Sequence, residues 1–136
     1  EIYKSSRNFQ KDFQKISERL FDVTGVRSAY YRFPGGSSGT GQLSIEECRA
    51  FFEEQGVTYI DWNVVAANGT KEDTSKTEIV RSVMEGVAMY ETSIVLLYDS
   101  ADQKMTAKAL GALIDDLQEG GYELLPIDEN KTPVQH

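Results

Sequence analysis

The stretch "AYYRFPGGSSGTGQLSIEE", residues 29–47, joins a strand to a helix through a glycine-rich loop. Residues 28–33 are small and aromatic and read as a strand. Pro34, Gly35, Gly36, Ser37, Ser38, Gly39 and Gly41 punctuate the loop that follows. Ser44–Ile45–Glu46–Glu47 has the S-x-x-E form of a capping box, and it opens a helix that Gly56 closes. Arg32 places a permanent cation at the end of the apolar segment, directly before a rigid X-Pro step. Two roles suit it there. It is either a surface arginine whose stem covers aromatic rings, or a planar fork that holds a carboxylate in bidentate fashion.

The same alternation continues on both sides. Upstream, Phe9, Phe13, Ile16 and Leu20 recur at helical spacing, and Gly25 marks the stop. Downstream, residues 58–67, "TYIDWNVVAA", are rich in β-branched and aromatic residues and read as one strand. A polar loop, "NGTKEDTSK", leads to a second capping box, Ser75-x-x-Glu78, and to a helix faced by Ile79, Val83 and Val87. Residues 93–98, "SIVLLY", form a continuous apolar run, the pattern of a strand buried on both faces. Ala107, Leu110, Leu113, Ile114 and Leu117 mark a further helix ended by Gly120–Gly121. "YELLPI", residues 122–127, reads as a last strand, and residues 128–136 as a loose tail.

The order αβαβαβαβ predicts an α/β fold with parallel strands and right-handed crossovers. Such a chain forms either a small open sheet or part of a (β/α) barrel. In both, ligands bind at the loops leaving the carboxyl ends of the strands. Those loops are 34–43, 67–74, 99–105 and 127–136.

The totals narrow the function. The chain has 136 residues, the size of one domain, with 40% hydrophobic and 26% charged residues. A formal net charge of −8 and a pI near 4.6 argue against a nucleic-acid or anionic-membrane partner, since both need a basic footprint. No apolar run reaches membrane-spanning length, and no signal peptide is visible. The first residue is Glu1, which is read as the mark of a longer protein. Cys48 is the only cysteine and sits in a predicted helix, so it reads as a small apolar residue. His136 is the only histidine, so neither a Ser-His-Asp nor a Cys-His set can be assembled. No metal-ligand pattern is present. Gly36 and Gly41 have P-loop spacing, but Gln42 and Leu43 stand where Lys and Ser/Thr are required.

Four further places merit attention. Asp61–Trp62 lies in the middle of the predicted 58–67 strand, with the tryptophan either a core residue or a groove wall. Tyr98–Asp99 ends the most apolar strand, a good position for site residues, though Asp99 suits a capping role equally well. Asn68-Gly-Thr and Asn130-Lys-Thr match the N-glycosylation pattern.

Taken in order, four segments resemble the C-terminal half of the polysaccharide deacetylase domain, the NodB-homology domain of carbohydrate esterase family 4, in the style of secreted Gram-positive members. "TGVRSAYYRFPGGS" is similar to the family's R-x-P motif, and "GVTYIDWNVVAANG" to its tryptophan-containing strand. "SIVLLYDS" is similar to its L-x-H-D segment, and "ALIDDLQEGGYELLPID" to its closing helix, turn and strand. The resemblance implies a distorted (β/α) barrel, a divalent metal (zinc or similar) held by Asp-His-His, and removal of acetyl groups from peptidoglycan, chitin, xylan or a related glycan. It implies that Arg32 orients the catalytic base, that Pro34 and Gly35 shape the groove, that Trp62 binds substrate, and that Leu96 lines the acetyl pocket. Asn68 stands where an aspartate supporting the arginine often occurs. Tyr98 stands where the family has its general-acid histidine, and a phenol is a weaker proton donor near neutral pH than an imidazolium.

The resemblance covers residues 1–136 as the C-terminal portion of one such domain. The base and metal ligands belong to N-terminal motifs that this chain lacks, so no metal is expected in it. The expected partners are a glycan and the missing N-terminal half, or a second copy through open sheet edges. The expected location is extracellular or at the cell surface. A non-enzymatic carbohydrate-binding or structural module on the same fold is the alternative.

Overall fold

The computed structural model describes residues 2–41, 43–67, 74–128 and 133–136. They form two compact units. The first is residues 1–61 with 133–136, and the second is residues 62–132.

In the first unit, helix α1 (Ser6–Thr24) starts at Ser5, whose hydroxyl accepts from the Asn8 amide at 3.2 Å. It ends at Gly25, whose φ of 72° is open to glycine at little cost and whose N–H donates to the Phe21 carbonyl. Strand β1 (Tyr30–Tyr31) pairs in parallel with β2 (Thr58–Tyr59), Tyr30 opposite Thr58 and Tyr31 opposite Tyr59. Helix α2 (Ile45–Gln55) is the crossover between them. Its cap differs in detail from the expected box. Ser44 accepts from the Glu46 amide and donates to the Glu46 carboxylate, so the local bonding closes one residue earlier than Glu47. The core is mostly rings: Phe9, Phe13, Phe33, Phe51, Phe52 and Tyr59, with Leu43 and Cys48.

In the second unit, β3 (Val64–Val65) pairs in parallel with β4 (Val95–Leu96). Helix α3 (Lys76–Val87) crosses over between them, and α4 (Lys104–Glu119) follows β4. The Ser75–Glu78 capping box forms in full: Ser75 Oγ accepts from the Glu78 amide, and the Glu78 carboxylate accepts from the Ser75 amide at 2.9 Å. The core is aliphatic: Val64, Ala66, Ile79, Val83, Val87, Ala109, Leu113 and Leu117.

Four sequence expectations change. The 58–67 strand is two strands, interrupted at residues 60–63. The interruption has a local cause. Asp61 turns its amide to Val134 instead of to a neighbouring strand, and the Asn63 side chain bonds the Ile94 amide at 2.8 Å and the Thr92 carbonyl at 2.9 Å. Residues 122–127 form no strand; Tyr122 packs on the aliphatic core while Leu124, Leu125 and Ile127 are exposed. Residues 93–98 are half-buried throughout instead of buried on both faces, with Val95 and Leu97 packed on the core. Residues 133–136 are not loose. They bond to the carboxyl end of β2.

Candidate functional site

The first unit builds a rigid turn at the carboxyl end of β1. Phe33, Pro34, Gly35 and Gly36 form a β-turn closed by the Gly36 amide on the Phe33 carbonyl at 2.9 Å. Proline at the second position and Gly35 at the third, with φ of 84°, are what a type II turn requires. The turn is fastened at several points. Phe33 is fully buried and lies among the rings of Phe9, Tyr31, Phe52 and Tyr59 at 5.2–5.7 Å between centroids. The Tyr3 hydroxyl donates to the Pro34 carbonyl at 2.7 Å. Burial pushes the Tyr3 phenol well above its usual range, so it stays a donor. Arg32 Nη1 donates to the Phe33 carbonyl at 3.2 Å. Pro34 and Gly35 form the exposed tip, and Arg32 is also exposed.

The far side of the turn rests on Asp61. This carboxylate is only 1% exposed, yet it lies just beyond the two-residue β2. A carboxylate removed from water is costly unless donors meet its oxygens. Three do. The Ser37 amide reaches Oδ1 at 2.9 Å, and the Ser37 hydroxyl and His136 amide reach Oδ2 at 2.5 and 3.0 Å. The Asp61 amide donates to the Val134 carbonyl at 2.7 Å, and Gln135 Nε2 donates to the Tyr59 carbonyl at 3.0 Å.

Pro34 and Gly35 thus share one turn in the first unit, with Arg32 directly before it. Trp62, Leu96 and Tyr98 belong to the second. Trp62 follows β2 and is half-buried; Leu96 is half-buried in β4. Tyr98 is two residues beyond Leu96, and its carbonyl accepts a short hydrogen bond from the buried Thr106 hydroxyl at the start of α4. Asn68 lies outside the described residues, as do both N-glycosylation patterns.

Sequence reasoning missed Ser37, Tyr3 and residues 133–136. A lone aspartate between Ile60 and Trp62 was the available signal, because a carboxylate inside an apolar run needs donors from elsewhere. Nothing in the sequence identifies Ser37 among the loop's serines and glycines. Among the described residues, no group of three or more His, Cys, Asp or Glu is placed to hold a metal ion. The described residues therefore do not by themselves supply a site for the divalent metal that the resemblance implies.

The fold defines the class. The chain has the α/β fold of carbohydrate esterase family 4 domains, whose architecture is a distorted barrel, and its sequence likeness is to polysaccharide deacetylases of that kind. It matches the catalytic domain of a peptidoglycan N-acetylglucosamine deacetylase from Eubacterium rectale with a TM-score of 0.90 and 26% identity, over 99% of this chain and 63% of that one. It matches a Streptococcus mutans carbohydrate esterase family 4 esterase with a TM-score of 0.73 and 17% identity, over 88% of this chain and 52% of that one, a likeness of fold alone. It is 25% identical over 136 residues to YheN of Bacillus subtilis (strain 168), whose name carries a provisional assignment as a polysaccharide deacetylase. The chain spans less than half of YheN, 46% of its length. No protein-family model matches the chain.

Proposed function

We propose that residues 1–136 are the C-terminal portion of a metal-dependent polysaccharide deacetylase domain that removes acetyl groups from N-acetylated cell-wall glycan. The observation that carries this reading is the likeness, along 99% of the chain, to a peptidoglycan N-acetylglucosamine deacetylase. The Phe33–Gly36 turn supports it by presenting Arg32, Pro34 and Gly35 together at a strand's carboxyl end, where α/β folds place their ligands. Within this reading Arg32 orients the catalytic base, Pro34 and Gly35 shape the sugar groove, Trp62 binds substrate, Leu96 lines the acetyl pocket, and Tyr98 and Asn68 occupy catalytic positions. The metal, zinc or similar, belongs to residues outside this chain. Ile16 and Leu20 of α1 are 45% and 40% exposed, and such apolar residues suit a face covered by the rest of the domain or by a second copy. On this reading the protein acts outside the cell or at its surface.

One observation favours a second reading. Tyr98 stands where the family's general-acid histidine falls, which suits a module that holds glycan without cleaving it. The test is acetate release from N-acetylglucosamine oligomers by the intact protein loaded with zinc. Release that falls at least about tenfold in Arg32→Ala supports the enzyme. Retention of the oligomers without acetate release overturns it in favour of the binding module.

A further inference from the structure

We propose that Asp61 is a positioning residue for the Phe33–Gly36 turn, holding Arg32, Pro34 and Gly35 in place through Ser37; the functional part of this inference rests on the reading given under Proposed function. A surface loop of glycine and serine ordinarily has many conformations, and ordering each residue costs about 1–2 kcal/mol. This loop is held to one by bonds at both flanks. Tyr3 grips the Pro34 carbonyl, and Asp61 grips Ser37, the first residue past the turn, through both its amide and its hydroxyl. Arg32 directly precedes the turn and follows Tyr31, whose carbonyl accepts from the Ile60 amide at 2.8 Å. Arg32 and Asp61 therefore leave the same end of the same strand pair. With Phe33 buried beneath, the Ser37 anchor is what stops the Pro34–Gly35 tip from swinging away.

The carboxylate also joins a second segment. Its Oδ2 accepts from the His136 amide, and the Ser37 hydroxyl lies 3.0 Å from the His136 carbonyl. One hydroxyl proton serves one acceptor, and the 2.5 Å approach to Oδ2 makes the carboxylate that acceptor. The His136 carbonyl is then available when the carboxylate changes. An amide at position 61 keeps one acceptor oxygen for the Ser37 amide but sets an N–H against the His136 N–H. Ser37 can answer by turning its proton to the His136 carbonyl. Asp61→Asn thus strains the 134–136 segment more than the turn, whereas Asp61→Ala releases both.

The test is a double-mutant cycle on acetate release by the intact zinc-loaded protein, with thermal unfolding measured alongside. Asp61→Ala is expected to lower kcat/KM by about ten- to a hundredfold in the wild-type background. In the Arg32→Ala background it is expected to lower it by a clearly smaller factor, about two- to fivefold, because Arg32 is gone and only Pro34 and Gly35 remain to be positioned. The loss of melting temperature is expected to be the same in both backgrounds. An equal activity loss in both backgrounds, or none in the first, overturns the proposal. Where Asp61→Ala fails to fold, Ser37→Ala takes its place: it keeps the backbone bond to Oδ1 and is expected to show the same non-additivity at about threefold.

Activity is not the only readout. The Gly35 and Gly36 amide resonances of the intact protein are expected to shift in Asp61→Ala or Ser37→Ala. Unchanged Gly35 and Gly36 resonances overturn the positioning role whether or not acetate is released. An intact protein that releases no acetate but shows those shifts overturns the deacetylase reading and leaves the positioning role standing.

Discussion

The two units follow the same plan, parallel strands joined through a helix, yet they are filled differently. The first packs rings against rings: Phe9 alone contacts Tyr3, Tyr31, Phe33, Phe51 and Phe52 at 5.5–6.5 Å between centroids. The second packs branched and small side chains closely enough for α3 to approach β3 at a glycine. The difference has consequences for the polar groups each core can carry. Large rings leave hydroxyls at their edges, so Tyr3 and Tyr59 extend out of the first core to hold Pro34 and to meet Arg49 at 2.6 Å. An aliphatic core has no such edges. The second unit's chain ends are held by short side chains instead, Asn63 at Ile94 and Thr106 at Tyr98.

The largest effect expected to sharpen this contrast comes from emptying each core. Phe9→Ala removes the hub of the ring cluster and is expected to cost about 3–5 kcal/mol. Ile79→Ala, fully buried in the second core, is expected to cost about 2–5 kcal/mol. Chemical denaturation of the two variants measures both. A larger loss from Ile79→Ala would show that the ring cluster relaxes into the space left by Phe9 and is not the more specifically packed of the two.

A smaller effect concerns fit. A Cβ added at Gly86 would lie 2.6 Å from Val64 Cγ1, well inside contact distance, on a side chain that is stiff and buried. Gly86→Ala gains helix propensity of about 1 kcal/mol but must displace Val64 or the helix. Overpacking of this kind costs about 1–3 kcal/mol, so a net loss of stability is expected. Adding Val64→Ala to Gly86→Ala is expected to recover part of it. A Gly86→Ala variant more stable than wild type by thermal melting would mean that α3 does not press on β3.

These contrasts also explain what the sequence made legible. Periodicity and end signals located the four α-helices of the described residues, because Phe9, Phe13, Ile79, Val83, Leu113 and Leu117 form faces and Gly25 and Gly56 end α1 and α2 with positive φ. The same periodicity overstated burial. Ile16, Leu20, Leu110 and Ile114 continue the apolar stripes but are exposed. Hydrophobic spacing reports which face is apolar and carries no information on what covers it. At the candidate site, the Pro34–Gly35 turn was visible through turn chemistry, which is local, while the roles expected of Arg32, Pro34 and Gly35 came from the family resemblance. The Asp61–Ser37–His136 bonding joins residues 24, 75 and 99 positions apart, and no local rule encodes it.

The smallest expected effect uses pH to separate the two cores. Burial raises the Tyr31 phenol from 10.0 to about 12, with the nearby Asp12 charge adding to the rise and the Arg32 guanidinium opposing it. Burial likewise raises the Cys48 thiol from 9.0 to about 11, and Glu47 adds to it. Both groups, and Tyr3, lie in the first unit. A raised folded-state value means that the folded protein holds its proton where the unfolded chain has lost it. The stabilisation is therefore complete below about pH 9 and is lost as pH rises through about 11 and about 12. Tyr31 is only half-buried, so solvent screens its share and the change stays modest. Melting temperatures of wild type and Tyr31→Phe, measured from pH 8 to pH 12, check this. The wild-type curve is expected to fall faster above pH 10, because phenylalanine has no proton to lose. Parallel curves across that range would mean that Tyr31 titrates alike in the folded and unfolded chains, and that the ring cluster does not shield its hydroxyl.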